Sequence, residues 1–371
     1  MTTLSDVECM SLAIRLAKRG LYTTRSNPNV GCVITDADGN IAGTGFHELY
    51  GQPHAEINAL QVAGEKARGG TVYVTLEPCC HQGKTGPCTQ ALIAAGVSKV
   101  VIAMHDPNPL VAGKGIAELR THGIEVESGL LAAQAALVNR GFIKRMSSAM
   151  PWVTVKEATS LDGAIALDNG QSQWITSEQA RKDVHHLRAR HDAIMTGIGT
   201  VMADDPSLNV RLNEDIPVSM PLRVVIDSKL KMPASAKMLT LEGKTLIFTA
   251  VTATESDLAD NPHCEIIQLE SLNNNENDHL CLRSVLAELA KRGVNSVMVE
   301  AGSSLVGALI RQQLVDELIT YIAPKLMGDA SKGSINLGVI GDMRDCPGLE
   351  FTDIRNVGED LRITSKINYE I

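Results

Sequence analysis

The spacing of hydrophobic residues changes repeatedly along the first part of the chain, and each change predicts a new helix or strand. Apolar residues at helical spacing predict helices over residues 4–19, 54–67, 88–95, 113–122 and 132–145. Short runs rich in branched apolar residues predict strands over residues 30–34, 41–44, 71–77, 99–104 and 124–127. The first two strands are predicted to form a hairpin, because turn-forming residues join them. Strands that alternate with helices indicate an α/β layer with parallel pairing.

A second series of strands and helices is predicted after residues 147–151, a small and polar segment that ends in proline. Such a segment is typical of a domain junction, and we predict two domains, residues 1–146 and residues 147–371. The predicted strands of the second domain cover residues 152–158, 192–196, 222–227, 244–249, 264–269, 296–300 and 317–323. Its predicted helices cover residues 177–190, 280–292 and 303–312. The asparagine-rich residues 271–279 are predicted to form a surface loop.

The length and composition of the chain agree with two domains that have aliphatic cores. The chain has 371 residues, more than one domain usually contains, and 44% of them are apolar but only 3% aromatic. The net charge of −9 argues against a nucleic-acid binder, which needs a basic face. We therefore expect a small-molecule substrate and no nucleic-acid partner.

The N-terminus and the cysteines predict a cytoplasmic protein. The first residues lack the basic and apolar segments of a signal peptide, and no apolar run is long enough to span a bilayer. Eight cysteines in a chain of this length are too few for a disulfide scaffold. We expect a reducing, cytoplasmic location and no membrane partner.

One short stretch carries the residues of a catalytic zinc site. His54 and Glu56 stand two residues apart, Cys79 follows a proline at the end of a predicted strand, and Cys88 opens a predicted helix. One imidazole and two thiolates suit Zn²⁺ and leave a fourth position for water. Glu56 is placed to move protons at that water. Together these residues resemble the H-x-E and P-C signature of zinc-dependent nucleobase deaminases. We predict His54, Cys79 and Cys88 as zinc ligands and Glu56 as the general acid and base.

Cys80 is an alternative zinc ligand, because it directly follows Cys79. We favour Cys79 and Cys88, since a thiolate at the N-terminus of a helix is stabilised by the helix dipole. The common deaminase pattern closes with C-x-x-C, whereas Cys88 lies nine positions after Cys79. The match to that pattern is therefore not literal.

The second half of the chain contains four turns of small residues next to predicted strands. They lie at residues 158–163, 172–176, 196–208 and 300–305. Such turns expose backbone N–H groups that suit a phosphate or a pyrophosphate. The Gly197/Gly199 pair lacks the third glycine of a dinucleotide-binding fingerprint, so we predict no Rossmann site there.

Short motifs recur along both halves of the chain. The motifs of the first half are His54-Ala55-Glu56, Thr75-Leu76-Glu77-Pro78-Cys79, Gly83-Lys84-Thr85 and Asp106-Pro107-Asn108-Pro109. The motifs of the second half are Ser160-Leu161-Asp162-Gly163, Gln173-Trp174-Ile175-Thr176, Ala203-Asp204-Asp205-Pro206 and Glu300-Ala301-Gly302. In this order they resemble one family, the bifunctional deaminase/reductase of riboflavin biosynthesis. The wide spacing of the two cysteine ligands is normal in this family.

The resemblance implies the fold class, the reactions and the cofactors. A cytidine-deaminase-like α/β/α domain would precede a dihydrofolate-reductase-like α/β domain. The first domain would use Zn²⁺ to hydrolyse the 2-amino group of a phosphoribosylamino-pyrimidine. The second would use NADPH to reduce the ribosyl chain of the product to a ribityl chain. The resemblance also implies a homo-oligomer, either a dimer or a tetramer.

The resemblance further implies the residues that bind the substrates and the cofactor. In the deaminase site they are Asn27, or Asn29 as an alternative, with His47 and with Lys84 at the ribose phosphate. The implied cofactor residues of the reductase are Ala158, Trp174, Thr200, Asp204, Ser228, Gly302, Ser303, Ser304, Leu305, Val306, Gly307 and Ala308. Its implied substrate residues are Ser172, Arg188, Leu208, Arg211 and Glu300.

Within this implied reductase site, four residues have specific roles. Arg188 and Arg211 would hold the substrate phosphate, where a guanidinium fork fits well. Lys156 and Glu300 would handle the sugar hydroxyls as catalytic residues.

Two alternative hypotheses stay open from the residues alone. In the first, the chain is a zinc nucleobase deaminase whose residues 150–371 form a regulatory or binding domain. In the second, the zinc is structural and the chain is an interaction protein, which would need a fourth Cys or His ligand. Zinc content, loss of activity on chelation and NADPH binding separate these hypotheses.

Overall fold

The computed structural model describes residues 4–82, 86–109, 111–212, 215–252, 258, 261–270 and 280–369. The chain forms two compact units, Met1–Met150 and Pro151–Ile371. The loop predicted at residues 271–279 lies outside the described residues. None of the helices in the described part of the chain has the length and apolar character needed to cross a membrane.

The first unit contains short helices and short strands in alternation. Its helices are α1 (Asp6–Ala17), α2 (Ala55–Ala63), α3 (Cys88–Ala95), α4 (Lys114–Thr121), α5 (Ala132–Val138) and α6 (Arg140–Ser148). Its strands are β1 (Gly31–Thr35), β2 (Ile41–Phe46), β3 (Thr71–Val74), β4 (Lys99–Ile102) and β5 (Glu125–Ser128).

These strands form one sheet in the order β2-β1-β3-β4-β5. β1 pairs antiparallel with β2 and β3, while β3, β4 and β5 run parallel. Apolar residues are buried on both faces, Met10 of α1 on one and Leu92 of α3 on the other, so helices cover the sheet on both sides. α2 packs so close to β2 that a Cβ atom on Gly45 would lie only 2.5 Å from the Ala55 carbonyl oxygen. This contact fixes the first turn of α2 on the sheet.

The structure divides the helix predicted over residues 132–145 into α5 and α6. The division is at Asn139, whose amide side chain binds the backbone of Asn29. Its Oδ1 accepts from the Asn29 N–H at 2.7 Å, and its Nδ2 donates to the Asn29 carbonyl at 2.9 Å. A contact between residues so far apart in sequence leaves no mark on the local hydrophobic period, so the prediction of one helix was wrong.

The second unit has a longer series of strands. They are β6 (Trp152–Ser160), β7 (Ala164–Ala166), β8 (Ala193–Gly197), β9 (Leu222–Ile226), β10 (Thr245–Thr249), β11 (Cys264–Gln268), β12 (Ser296–Val299), β13 (Glu317–Ala323), β14 (Lys332–Gly333), β15 (Gly348–Val357) and β16 (Asp360–Asn368). Its helices are α7 (Glu178–Arg190), α8 (Ile198–Asp204), α9 (Leu282–Lys291) and α10 (Ser303–Arg311).

A nine-stranded sheet organises this unit in the order β11-β10-β9-β8-β12-β6-β13-β16-β15. The strands from β11 to β13 run parallel, and β16 and β15 are added antiparallel. α7 packs on one face through Val184 and Leu187. The carboxyl ends of the parallel strands meet at one edge, where open α/β sheets bind their ligands.

Candidate active sites

A pocket of about 360 Å³ lies beyond the carboxyl end of β3 in the first unit. Its lining includes five residues predicted from the sequence: Asn27, His47, His54, Glu56 and Cys79. The structure therefore brings these separated residues to one place. Lys84 lies outside the described residues.

Three ligand atoms converge in this pocket. The imidazole of His54 and the sulfur atoms of Cys79 and Cys88 lie within 4.8 Å of one another. His54 Nδ1 is 3.3 Å from Cys88 Sγ and 3.5 Å from Cys79 Sγ. Ligand atoms around tetrahedral zinc lie roughly 3.5–3.8 Å apart, so the donor set and its spacing fit Zn²⁺. Among the described residues, Cys80 does not belong to this cluster.

The ends of three elements position the cluster. His54 is the N-cap of α2, Cys88 is the first residue of α3, and Cys79 follows β3. The Cys79 carbonyl accepts from the backbone N–H of Thr89 at 3.2 Å and from the Thr89 hydroxyl at 3.3 Å. The Cys88 N–H donates to Cys79 Sγ at 3.4 Å. These bonds join the start of α3 to the segment after β3 and so set the spacing of the two sulfur atoms.

The surroundings favour a thiolate at Cys79. A hydrogen bond from the Cys88 thiol, followed by one from His54, holds the pKa of Cys79 well below its usual range. A divalent cation at the centre would favour the thiolate form of both cysteines. Burial instead raises the pKa of Cys80, which keeps that residue a thiol.

Glu56 is a buried carboxyl next to this cluster. It lies in the first turn of α2 and is only 3% exposed. Burial raises the pKa of Glu56 to about 7, and the negative charge of Cys79 acts in the same direction. A carboxyl group with this pKa can both accept and return a proton near neutral pH.

Glu77 supports the site through the backbone, a role that its motif did not predict. Its carboxylate accepts N–H groups from Asp106 at 3.3 Å, Gly113 at 3.0 Å and Ile116 at 3.2 Å. These bonds fix the segment that leads from β3 to Cys79. A glutamate directly before the Pro-Cys pair was the available signal in the sequence.

Asn27 and His47 form a hydrogen-bonded pair at the pocket wall. Asn27 Nδ2 lies 3.0 Å from His47 Nε2, and His47 Nδ1 lies 3.1 Å from the Pro53 carbonyl. Because a carbonyl only accepts, we assign the ring hydrogen to Nδ1, and Nε2 then accepts from the Asn27 amide. Burial lowers the pKa of His47, in agreement with a neutral ring. Asn29 is turned to another partner, since its Oδ1 accepts from the Thr24 hydroxyl at 2.8 Å.

In the second unit, Arg188 and Glu300 form a largely buried ion pair. Arg188 Nε donates to Glu300 Oε1 at 2.6 Å and Nη2 to Oε2 at 2.9 Å, and the side chains are 14% and 12% exposed. Arg188 Nη1 donates to the Asn209 carbonyl at 3.0 Å. Burial alone would raise the pKa of Glu300, but Arg188 and then Lys156 lower it to about 2. Glu300 is therefore a carboxylate at neutral pH.

Lys156 completes this group of charged residues at the carboxyl edge of the parallel sheet. It lies on β6, Glu300 follows β12, and Arg188 lies on α7. Desolvation lowers the pKa of Lys156, and the charge of Glu300 partly opposes this shift. The structure thus brings together three residues that the sequence separates widely.

Leu208 and Arg211 lie in the segment that follows α8. Leu208 is buried and has a left-handed backbone, with φ at 44°. Arg211 is exposed, and its Nη1 donates to Asn209 Oδ1 within the same segment at 2.8 Å. Since Arg188 binds the Asn209 carbonyl, this segment lies beside the ion pair of Arg188 and Glu300.

The predicted cofactor residues lie near the ends of several parallel strands. Ala158 is on β6, Thr200 and Asp204 are on α8, and Ser228 follows β9. Gly302 is the N-cap of α10, and a Cβ atom there would meet no described atom within 4 Å. The space at this N-cap is therefore open, and the N-terminus of a helix suits a phosphate, an arrangement that fits NADPH.

Trp174 is an exposed residue held at its ring and at its backbone. The residue is 63% exposed, and the guanidinium carbon of Arg181 lies 4.4 Å from the centroid of its ring. Lys325 Nζ donates to the Trp174 carbonyl at 2.7 Å. Ser172, in the same segment, is half-buried. Arg181 and Lys325 were not predicted, because neither stands in a motif.

Val306 and Gly307 lie on the side of α10 that faces the protein. Val306 is fully buried, and a Cβ atom on Gly307 would lie 1.8 Å from the Asn336 carbonyl oxygen. Close packing is therefore enough to require glycine at this position. Contacts of α10 with a cofactor are expected mainly at its first turn, at Ser303 and Ser304.

Comparison with protein families assigns one domain to each site. Residues 4–104 match the cytidine and deoxycytidylate deaminase zinc-binding region, and residues 151–363 match the RibD C-terminal domain. The chain is 45% identical to riboflavin biosynthesis protein RibD of Escherichia coli over 368 residues, covering 96% of this chain and 98% of that one. It is 44% identical to the same protein of Haemophilus influenzae, covering 98% of both chains.

Solved structures show the same likeness. Acinetobacter baumannii RibD has a TM-score of 0.90 at 42% identity, covering 98% of this chain and 99% of that chain. The diaminohydroxyphosphoribosylaminopyrimidine deaminase/5-amino-6-(5-phosphoribosylamino)uracil reductase of Thermotoga maritima has a TM-score of 0.86 at 33% identity, with the same coverage.

Similarity at this level over nearly the whole chain decides between the hypotheses. It confirms the predicted order of a deaminase domain and a reductase domain, and it does not favour a regulatory C-terminal domain. The chain belongs to the RibD family and is a bifunctional enzyme of riboflavin biosynthesis, with a zinc-dependent deaminase domain followed by an NADPH-dependent reductase domain.

Proposed function

We propose that the N-terminal site deaminates a diaminohydroxyphosphoribosylaminopyrimidine and that the C-terminal site reduces the resulting 5-amino-6-(5-phosphoribosylamino)uracil. The observation that carries this proposal is the convergence of His54, Cys79 and Cys88 beside the buried Glu56. The Thermotoga maritima relative is named for these two activities. The pocket volume of about 360 Å³ is also in the usual range for a small-molecule site.

In the deaminase reaction, water replaces the 2-amino group and ammonia leaves. A Zn²⁺ ion held by His54, Cys79 and Cys88 would supply a nucleophile near neutral pH by lowering the pKa of a water molecule. Glu56 takes one proton from the attacking water and delivers it to the ring nitrogen. It then takes the proton of the hydroxyl group now bound to the ring carbon and delivers it to the leaving amine, so that ammonia departs and the carbonyl forms. Asn27, oriented by His47, binds the pyrimidine ring.

The ribose phosphate of the deaminase substrate needs a cation. We propose Lys84 for this role, as the family resemblance implies. The described lining of the pocket contributes a second cation, Arg145 of α6, whose Nη2 donates to the Ser26 carbonyl at 3.1 Å.

In the reductase reaction, NADPH would supply a hydride to C1′ of the sugar. Lys156 and Glu300 then hold the sugar hydroxyls and move protons there. Arg211 binds the substrate phosphate with its exposed guanidinium group, while Arg188 orients Glu300 and keeps its remaining N–H groups for the same phosphate.

The other binding residues complete the reductase site. Ser172 and Leu208 contact the substrate. The cofactor residues are Ala158, Trp174, Thr200, Asp204, Ser228 and the stretch from Gly302 to Ala308, in which Ser303 and Ser304 make the main contacts. The open space at the N-cap of α10 supports this cofactor assignment.

We also propose a homo-oligomer, a dimer or a tetramer, in the cytoplasm. β15 is an edge strand of the nine-stranded sheet, and Leu349, Phe351 and Ile354 on it are exposed. An apolar edge strand tends to pair with a second chain. The free cysteines are typical of a reducing compartment, which supports the cytoplasm. Light scattering on the full chain measures the oligomeric mass.

Product mass after incubation of the zinc-loaded protein with the diaminopyrimidine substrate tests both activities. Without NADPH we expect replacement of one amino group by oxygen, and with NADPH a further gain of two hydrogen atoms. Chelation of the zinc should stop the first change but leave reduction of supplied intermediate intact. Reduction of the diaminopyrimidine itself, without deamination, would contradict the proposed order.

A further inference from the structure

His185 lies on α7 three residues before Arg188, so both side chains project from the same face of the helix. Both reach the backbone of the segment that carries Arg211. Arg188 Nη1 donates to the Asn209 carbonyl at 3.0 Å, and the Arg211 backbone N–H donates to His185 Nδ1 at 3.2 Å. α7 therefore holds this segment at two points, two residues apart.

The bond from Arg211 defines the state of the His185 ring. Since Nδ1 accepts a hydrogen bond, it carries no hydrogen, and the single ring hydrogen is on Nε2. Burial and then the charges of Arg188 and Arg211 lower the pKa of His185 to about 4, against weaker opposing effects of Glu300 and of a hydrogen bond with the Asn209 backbone. The ring is neutral near pH 7 and stays an acceptor.

The direction of the Arg211 side chain depends on its backbone. The side chain is exposed and its guanidinium group donates to Asn209 Oδ1 within the same segment. An exposed arginine still keeps much of its rotamer freedom. The buried Leu208 anchors the start of the segment, and His185 binds the other end at Arg211 itself. The His185 bond therefore limits where the guanidinium group can reach.

We propose that His185 is a positioning residue of the reductase site: it holds the backbone N–H of Arg211 and so directs the Arg211 guanidinium to the substrate phosphate. This role rests on the proposed function of Arg211. A lysine could not replace His185, because it has no acceptor and would face the charges of Arg188 and Arg211.

Reductase kinetics of the full-length His185→Ala and His185→Asn variants test this role. Alanine should raise the KM for 5-amino-6-(5-phosphoribosylamino)uracil about 2- to 12-fold, the range that one hydrogen bond corresponds to. The kcat and the Kd for NADPH should stay unchanged. The asparagine variant should have a KM close to that of the natural protein, since its side-chain oxygen can accept a hydrogen bond near the position of Nδ1. His186→Ala, on the same helix, is the matched control and should behave as the natural protein.

The Arg211→Ala variant, alone and combined with His185→Ala, separates this proposal from the function proposed for Arg211. If His185 acts through Arg211, the double variant has the KM of Arg211→Ala alone. A normal KM in Arg211→Ala overturns the phosphate role of Arg211, and with it the role of His185. If Arg211→Ala raises the KM, the phosphate role of Arg211 stands and the role of His185 is tested separately. That role is overturned if His185→Ala has a normal KM, if the two KM effects multiply in the double variant, or if His185→Ala weakens NADPH binding instead.

Discussion

The carboxylate of Asp360 accepts two hydrogen bonds from Ser177, one from its backbone N–H at 2.8 Å and one from its hydroxyl at 2.5 Å. Ser177 is the N-cap of α7, and its hydroxyl oxygen accepts from the Ala180 N–H at 3.2 Å. Asp360 is the first residue of β16 and is only 1% exposed. The hairpin of β15 and β16 thus fixes the start of α7, the helix that carries His185 and Arg188.

We expect Asp360→Ala to lower the free energy of unfolding of the second unit by about 1.5–3 kcal/mol, the range for hydrogen bonds to a charged group. An acidic group at this end of α7 also interacts favourably with the helix dipole. Urea unfolding followed by tryptophan fluorescence measures the change. The two tryptophans of the chain, Trp152 and Trp174, both belong to the second unit.

Asp353→Ala is the control for this experiment. Asp353 forms an exposed pair with Arg355 at 2.6 Å, and such surface pairs contribute about 0–1 kcal/mol. If Asp360→Ala lowers the free energy of unfolding no more than Asp353→Ala does, the contact with Ser177 has no special importance for stability.

Glu56→Gln should abolish most of the deaminase activity and leave the zinc content unchanged. Glu56 is not in the ligand cluster, and a positioned acid and base contributes roughly 10²–10⁴-fold to the rate. Metal analysis and the rate of ammonia release measure the two quantities. Glu65→Gln, an exposed glutamate just after α2, serves as control. A loss below about tenfold with normal zinc would exclude the proton-transfer role.

Glu157→Gln should stabilise the second unit at alkaline pH. Glu157 is 4% exposed, its Oε1 has no hydrogen-bond partner among the described residues, and burial raises its pKa to about 8 from a usual 4.5. A raised pKa means that the folded state holds the proton more tightly. The stability from this group is therefore fully present below about pH 4.5 and is lost as the pH rises to about 8.

Urea unfolding at several pH values from 5 to about 8 measures this effect. As the pH rises, Glu157 should lower the free energy of unfolding of the natural protein by at most roughly 1.4 kcal/mol per pH unit. The glutamine variant should not show this loss. Glu350→Gln, at an exposed position of β15, should follow the natural protein. Parallel pH profiles for the natural protein and Glu157→Gln would show that Glu157 has its usual pKa in the folded state.

The boundary that we propose between residues 146 and 147 predicts that the two activities separate in fragments. That boundary falls inside α6, whose residues Phe142, Arg145 and Met146 line the deaminase pocket. We therefore expect a fragment of residues 1–150 to deaminate and to unfold at a higher temperature than residues 1–146. Residues 147–371 and 151–371 should both reduce the supplied intermediate. A folded second fragment without reductase activity would show that the domains depend on each other.

The sequence predicted the zinc site because its signals are chemical and local. His54 and Glu56 are two residues apart at the start of a helix, Cys79 follows a strand, and Cys88 is the first residue of the next helix. Most elements of both units were predicted for the same reason, since hydrophobic period depends on nearby residues. The strand predicted over residues 71–77 nevertheless ends at Val74. The Glu77 carboxylate instead accepts backbone N–H groups from a distant segment.

Tertiary structure decided the matters that depend on residues far apart in the chain. It separated Cys80 from the ligand cluster, turned Asn29 toward Thr24, and joined Arg188 to Glu300 across 112 positions. It also placed His185, which no motif singled out, against the Arg211 backbone. By itself the sequence determined which chemical groups are present and which elements carry them. Their partners and protonation states depend on burial and on distances between elements, which arise only when the sheets and helices pack.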